Sequence, residues 1–486
     1  MSKRHVAFRD HLRVVLNVVP GVVPGVLLGC LILVAVSGCA HRVWNDPIDH
    51  PAAGERYDFR HRLPDNSPEL FVILAFSGGG TRAASFSYGV LEALRDTSVT
   101  IGGTERRLLD EVDVITSVSG GSYTAAYYGL FGDRIFQDFR DDFLYRNWQR
   151  ELLLKPLLPS SLASMMASNY NRTDLVAAHL GNTLFEDATY ARMSRGKLPF
   201  VIVNATDLNN ATTFSFIQQQ FDFLCSDLSS YPVANAVMAS AAVPGLFASM
   251  ALRNHPGCDE RDQPWVETAL AEDGYLARRR TVARALARYA DPERMPILRL
   301  VDGGVSDNLG VRGSMMSPVA HEGNVAQMAG AFTDEALRRV RDVLVVVVNA
   351  QVYRQYDWSV RGREPGVIRT VKSSFDTALG ILNTETVSLA KDGFLMWAER
   401  ANAVRALDDP QVEVQFAVLT FDQLDDAATR ERFNAMPTTF RLGADEVDAL
   451  IMEAGELLRR SPEVGRLLER LEDHARADAA PASDGP

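Results

Sequence analysis

An α/β fold, with a mostly parallel sheet covered by helices on both faces, is predicted from three features of this 486-residue chain. Short, densely apolar runs alternate with longer helical patterns, as successive βαβ units require. Three of those runs end directly in small-residue turns: Ser77-Gly78-Gly79-Gly80, Ser119-Gly120-Gly121 and Asp302-Gly303-Gly304. The chain is 47% hydrophobic and 23% charged, enough for a large core in one big domain or two, and no internal repeat breaks the alternation.

The elements follow in order. Leu70 to Phe76 reads as a buried strand, and the Gly78 turn leads into a helix reaching about Arg95. Val112 to Thr116 is a β-branched strand that breaks on small residues, after which Ser122 to Tyr128 opens a second helix. Phe143 to Tyr170 is helical with apolar patches, among them Leu152 to Met166. Leu198 to Thr206 is a strand, Val233 to Ala242 a short helix stopped by Pro244, and Glu272 to Tyr289 an arginine-rich surface helix. Pro296 to Val301 and Asp342 to Asn349 are strands, Thr370 to Ala390 an amphipathic helix and Val412 to Thr420 a last strand. Asp445 to Arg459 and Pro462 to Leu471 are helices, the second capped by Ser461. The Ala/Pro/Asp-rich end from Ala475 reads as disordered. The expected organisation is residues 1–38 as a leader, 39–68 as a linker, 69–350 as the main domain, 351–474 as an α/β extension packed on it and 475–486 as a tail.

Net charge is -12, and the first 38 residues carry +3 of their own, leaving about -15 on the rest. An acidic body argues against nucleic acid as a partner and against electrostatic adhesion to anionic lipid. Membrane contact is therefore expected to be apolar or covalent. The N-terminus offers the covalent route. Met1 to Arg13 is basic, Val14 to Val36 apolar, and Val36-Ser37-Gly38-Cys39 resembles the lipobox of bacterial lipoproteins, in which the cysteine is lipidated and becomes the mature N-terminus. The rival reading is an uncleaved transmembrane anchor. Ala40 after Cys39 leans towards the outer membrane, so a cell-envelope lipoprotein is expected. Cys225 and Cys258 are left either to pair in an oxidising compartment or to remain buried thiols.

The turns carry the chemistry. A serine between strand and helix is held out under a helix N-terminus, where backbone N–H groups favour developing negative charge. Ser119 is the candidate nucleophile, although Ser117 stands where the usual G-x-S-x-G elbow has its first glycine. Gly78, Gly79 and Gly80, at the start of the helix carrying Arg82, offer an anion cradle suited to an oxyanion or a phosphate. Neither nucleotide-loop pattern, G-x-x-x-x-G-K-[ST] or G-x-G-x-x-G, is present there. Asp302 ends a strand on a tight turn, where a carboxylate could accept a proton from Ser119; a turn-capping aspartate and a calcium ligand are the alternative readings. The positions after it do not fit a calcium loop, since the twelfth is Gly313, and no histidine has metal-ligand spacing. Asn204, Thr206 and Asp207 are read as turn caps, with lining of the site as the alternative.

Together these stretches resemble the patatin-like phospholipase family. Gly78-Gly79-Gly80-Thr81-Arg82 is similar to its oxyanion-hole block, Ser117-Val118-Ser119-Gly120-Gly121 to its nucleophile block and Asp302-Gly303-Gly304 to its D-G-[GA] block. Ala239 to Phe247 is similar to the block between nucleophile and aspartate. The resemblance covers roughly Phe71 to Gly310. It implies a three-layer α/β/α fold and hydrolysis of lipid acyl esters by a Ser119–Asp302 dyad without histidine, metal or other cofactor. Gly78, Gly79, Gly80 and Arg82 would then shape the oxyanion site, and phospholipid or lysophospholipid would be the substrate. Only His321 and His474 follow Asp302, and neither follows a strand. The competing classes are a non-catalytic lipid-binding or envelope-assembly lipoprotein, and an acyltransferase using the same residues.

Overall fold

The computed structural model describes residues 44–48, 56–57, 66–154, 171–194, 199–259, 261, 263–271, 278–312, 339–353, 358–362, 364–406 and 409–479. The leader with Cys39, most of the linker, the apolar patch beyond Leu154, His321 and the last seven residues lie outside them.

Seven residues from Leu70 to Phe76 form β1, all buried, as expected of a run with no polar member. The other strands of the main sheet are β2 (Val112–Val118), β3 (Phe200–Asp207), β4 (Thr212–Ser215), β5 (Met250–Arg253), β6 (Ile297–Val301), β7 (Asp342–Asn349) and β8 (Glu413–Thr420). Their order is β8-β7-β1-β2-β3-β6-β5, with β4 paired to β3. The first five strands of that order are parallel, as expected. β4, β5 and β6 run antiparallel to their neighbours, so the sheet is mixed. The chain first winds outwards from β1 through β2 to β3, then returns to lay β7 and β8 on the other side of β1. The crevice at the carboxyl ends of the strands at such a reversal is where ligands bind in open α/β sheets.

Helices α1 (Thr81–Arg95) and α2 (Gly120–Phe131) make the crossovers β1-α1-β2 and β2-α2-β3, and right-handed connections put both on one face. α3 (Arg172–Leu184) packs on α4 (Val233–Ser240), which in turn lies against β3. α5 (Val367–Ala403) connects β7 to β8, and its return in the opposite sense places it on the other face. α6 (Ala444–Arg460) packs along α1, and α7 (Pro462–Ala479) lies on β8 and on the hairpin Ser98–Ile101/Thr104–Arg107. The result is a three-layer α/β/α arrangement.

Three local expectations change. α5 runs well beyond the predicted Thr370–Ala390 at its C-terminal end. α7 continues to Ala479, so the first residues of the expected disordered tail are helical: its apolar positions Val464, Leu467 and Leu471 are buried and anchor it. Cys225 and Cys258 form a disulfide, which decides between the two thiol states left open above.

Candidate active site

Ser119 sits between the last residue of β2 and the first of α2, at φ 49° and ψ -117°. A non-glycine residue there is strained and needs support from its surroundings. Its N–H donates to Ser240 Oγ at 2.8 Å, and Ser240 Oγ donates onward to Asn204 O at 2.6 Å. The two glycines that follow allow close backbone approach. A Cβ on Gly120 would lie 2.2 Å from Gly80 O, and one on Gly121 2.7 Å from Phe76 Cβ. The Ser-Gly-Gly turn is therefore pressed directly against the Gly78–Gly80 loop. Ser117 does not spoil the elbow: it remains in strand β2 and its Oγ donates to Ile202 O at 3.2 Å.

Asp302 reaches Ser119 from the opposite direction. β6 is antiparallel to β3, with Val301 opposite Thr206, so its end falls beside the end of β3. The Asp302 N–H donates to Ala242 O and the Gly303 N–H to Ser240 O, both at 3.0 Å. Thr206 Oγ1 donates to Asp302 O at 2.8 Å. Held this way, Asp302 Oδ2 accepts the Ser119 hydroxyl at 2.8 Å, while Oδ1 accepts the Gly304 N–H at 2.8 Å. Both residues are nearly sealed, Ser119 6% and Asp302 7% exposed. Burial pushes the Asp302 carboxyl from its ordinary 3.8 up to about 6, against the opposing pull of the Gly304 N–H and the Ser119 hydroxyl. A carboxylate with that affinity for protons is a competent base for a hydroxyl in contact with it.

The glycine loop differs from expectation in one respect. The Gly78 N–H donates to Asn308 O at 2.9 Å and is not available to an oxyanion. What Gly78 contributes is space, since a Cβ there would lie 2.5 Å from Asn308 Oδ1. Gly79 and Gly80 adopt φ 146° and 63°, and their N–H groups have no acceptor among the described residues. Arg82 does not enter the site. Its buried guanidinium donates to Ala350 O at 2.8 Å, Met436 O at 2.9 Å and Thr438 Oγ1 at 3.3 Å, so it braces the loop from beneath. The Thr81 N–H adds a bond to Thr439 O at 2.9 Å.

Ser240, Asn204 and Thr206 turn out to be the positioning residues. Asn204 and Thr206 belong to β3 rather than to a turn: Asn204 Nδ2 bonds Thr116 Oγ1 and Ser117 O, and Thr206 holds Asp302 and Ser306. Asp207 does cap the following turn, through Asn209 N and Asn210 Nδ2. The signal for Ser240 was its place in the stretch Ala239 to Phe247; nothing in that stretch says that its hydroxyl would carry the elbow. Tyr123, one turn after Ser119, is fully buried and its hydroxyl has no partner among the described residues. The described histidines lie elsewhere: His179 on Glu151, His255 on Asn45 O, and His474 3.5 Å from Asp342, the residue that begins β7 at the opposite end of the sheet. Among the described residues, no group of three or more His, Cys, Asp or Glu side chains is placed to hold a metal ion.

Residues 74–314 match the model of the patatin-like phospholipase family. No curated protein sequence matches the chain. Among solved structures, the chain is similar to human GIVD cytosolic phospholipase A2, with 13% identity and a TM-score of 0.39 over 84% of this chain and 61% of that one. The same enzyme in complex with methyl gamma-linolenyl fluorophosphonate matches at 14% identity and a TM-score of 0.37, covering 85% and 60%. With that inhibitor and terbium chloride it matches at 14% identity and 0.34, covering 84% and 60%. The chain thus spans about three fifths of the length of these neighbours.

Proposed function

Because the chain carries a patatin-like phospholipase domain over residues 74–314, we propose that it is a serine lipid acyl hydrolase acting on phospholipid or lysophospholipid. The observation that supports this most is the hydrogen bond from Ser119 Oγ to Asp302 Oδ2 at 2.8 Å, between two buried groups. Asp302 takes the hydroxyl proton as Ser119 Oγ attacks the ester carbonyl. The resulting oxyanion faces the unengaged N–H groups of Gly79 and Gly80. Collapse expels the alcohol, which takes the proton from Asp302 and leaves an acyl-serine. Water then attacks that ester with Asp302 again as base, releasing a fatty acid and restoring the hydroxyl. The enzyme works at a bacterial envelope membrane, tethered through lipidated Cys39, with Ala40 directing it to the outer membrane.

Two measurements test this. A fluorophosphonate probe should label the wild-type protein at Ser119 and leave Ser119→Ala unlabelled. Turnover of a short acyl ester should fall by about 10⁴-fold or more in Ser119→Ala and Asp302→Asn. A folded wild-type protein that is neither labelled nor active would point instead to a lipid-binding lipoprotein that keeps the fold without the chemistry.

A further inference from the structure

α5 is longer than the sheet it covers. Its 37 residues span about 55 Å, whereas the eight residues of β7 span about 26 Å. Its buried positions begin only at Asn383. That residue bonds Gln351, just past the carboxyl end of β7, and Thr386 accepts from Arg312 Nε at 2.8 Å. Because α5 leads from the end of β7 back to the start of β8, everything before Asn383 projects beyond the carboxyl edge of the sheet. Ser119 and Asp302 sit at that same edge.

The projecting part is amphipathic in the wrong sense for a solvated helix. Ile368, Val371 and Phe375, spaced three and four residues apart, share one face. Ile368 is 86% exposed and Val371 64%. Other exposed apolar residues stand at the same edge: Leu208 directly follows β3, and Leu246 follows the segment whose Ala242 carbonyl holds Asp302. Charge points the same way. From Val367 to Leu382 the only charged residues are Arg369, Lys372 and Asp376, a net +1 on a chain of -12. The acidic body as a whole would be held off by another acidic copy and by anionic headgroups alike, so what favours a bilayer is local: an apolar face flanked mostly by basic charge, Arg369 and Lys372, meeting an apolar interior that a charged protein surface does not offer.

We infer that the projecting half of α5, with the apolar residues around the carboxyl edge, docks this chain onto a lipid bilayer, with Ile368, Val371 and Phe375 among the acyl chains and Arg369 and Lys372 at the headgroups. The inference rests on the acyl-hydrolase reading, which supplies the reason for a bilayer to meet this edge. It is also separate from the tether at Cys39, since a tether holds the protein near the membrane without orienting it.

The test uses the full chain with vesicles of phosphatidylethanolamine and phosphatidylglycerol. An environment-sensitive fluorophore on Phe375→Cys should be quenched by nitroxide groups carried on the acyl chains, and the same fluorophore on Met452→Cys of α6 should not. No quenching at Phe375→Cys would overturn the inference. So would shielding of that probe without lipid in a concentration-dependent way, which would identify a second copy as the occupant. In a second arm, Ile368→Ser/Phe375→Ser should keep soluble short-chain ester turnover within about twofold while hydrolysis of vesicle phospholipid falls about tenfold or more. An equal fall on both substrates would count against docking. A wild-type protein inactive on both would defeat the hydrolase reading, with the quenching result still deciding whether this edge meets lipid.

Discussion

The two sides of β1 make unequal demands on sequence. On one side, β2, β3 and β6 deliver Ser119, Asp302 and their glycine turns, and almost every residue at the site is there for its side chain or for the lack of one. On the other, β7, β8 and the helices after them carry no motif, yet the loop that faces Ser119 is fastened to them. Ala350 O and Met436 O hold Arg82, and Thr439 O takes the Thr81 N–H and lies 2.3 Å from where a Gly80 Cβ would stand. Main-chain carbonyls can be supplied by any residue type, so this half of the site leaves no signature. The comparison teaches that a motif marks where backbones must touch or protons must move, and not the full extent of what holds a site together.

Breaking the link between the two sides should have the largest effect on stability. Arg82→Met keeps most of the volume but leaves two carbonyls on the motif-free side without their donor. With each buried orphan costing about 1–3 kcal/mol, the variant should lose roughly 3–5 kcal/mol in denaturant unfolding, with activity falling alongside. Arg82→Lys should recover only part of this, because an ammonium cannot span three acceptors set out for a planar fork. A loss below about 1 kcal/mol would mean that the C-terminal region merely rests on the loop.

Gly79→Ala probes the loop from the other side. At φ 146° an alanine is strained, and its Cβ would stand 3.2 Å from both Ala83 Cβ and Arg82 Nη2. The loop must shift, and its N–H groups with it. Losing one oxyanion donor costs about 10²–10³ in rate, so kcat should drop by that much while the fold persists. Unchanged kcat in a well-folded variant would remove Gly79 from the oxyanion site.

These contrasts also mark what was legible beforehand. β1, β3 and β7 were readable because strands buried on both faces carry long apolar runs, β2 because its β-branched density survives Asp113, and β8, an edge strand with Glu413 and Gln415, through Phe416 to Leu419; the elbow was readable because Ser-Gly-Gly follows β2. The sense of β6 was not read, although a hint exists: in Ile-Leu-Arg-Leu-Val the exposed Arg299 breaks the run, an alternation typical of antiparallel strands. β4 and β5 are four residues each, too short to stand out from loop. Gly78 was legible as a glycine of the loop but not as one whose N–H is already engaged, because Asn308 lies 230 positions away in sequence. Ser240 was hidden for the same reason, its partners Ser119, Ser122 and Asn204 being brought to it only by tertiary packing.

Asp302 sharpens the comparison by separating function from stability at one residue. Its protonated form is favoured in the folded state, so its contribution to stability is complete below 3.8 and is lost as pH rises through about 6. Above that, ionisation costs the fold up to about 3 kcal/mol. Asp302→Asn should therefore be inactive yet as stable as the wild type at neutral pH or more so, and its stability should fall less between pH 4 and 6. Asp307, also buried and also pushed up to about 6, titrates in the same window in both proteins, which is why the difference between them is the quantity to measure. In the wild type, kcat/KM should rise with pH to a plateau above about 6, since only the carboxylate can take the Ser119 proton. Activity that stays flat down to pH 4 would exclude Asp302 as the base.

Ser117→Gly should have the smallest effect and tests the one departure from the usual elbow. The Ser117 side chain is buried and points its hydroxyl at Ile202 O, within the sheet and away from the turn. Its carbonyl, which Asn204 Nδ2 binds at 3.1 Å, is backbone and survives the substitution. The strained conformation belongs to Ser119 and is held by Ser240 and by the contact between Gly120 and Gly80, none of which involves Ser117 Oγ. Glycine in a strand costs about 0.5–1 kcal/mol in conformational entropy, and the long hydrogen bond to Ile202 O adds little, so unfolding should shift by about 1 kcal/mol. Turnover should stay within about twofold of the wild type. A fall of tenfold or more, with the fold intact, would mean that the serine hydroxyl itself sets the strand from which the elbow springs, beyond the support that Ser240 and Asn204 already give.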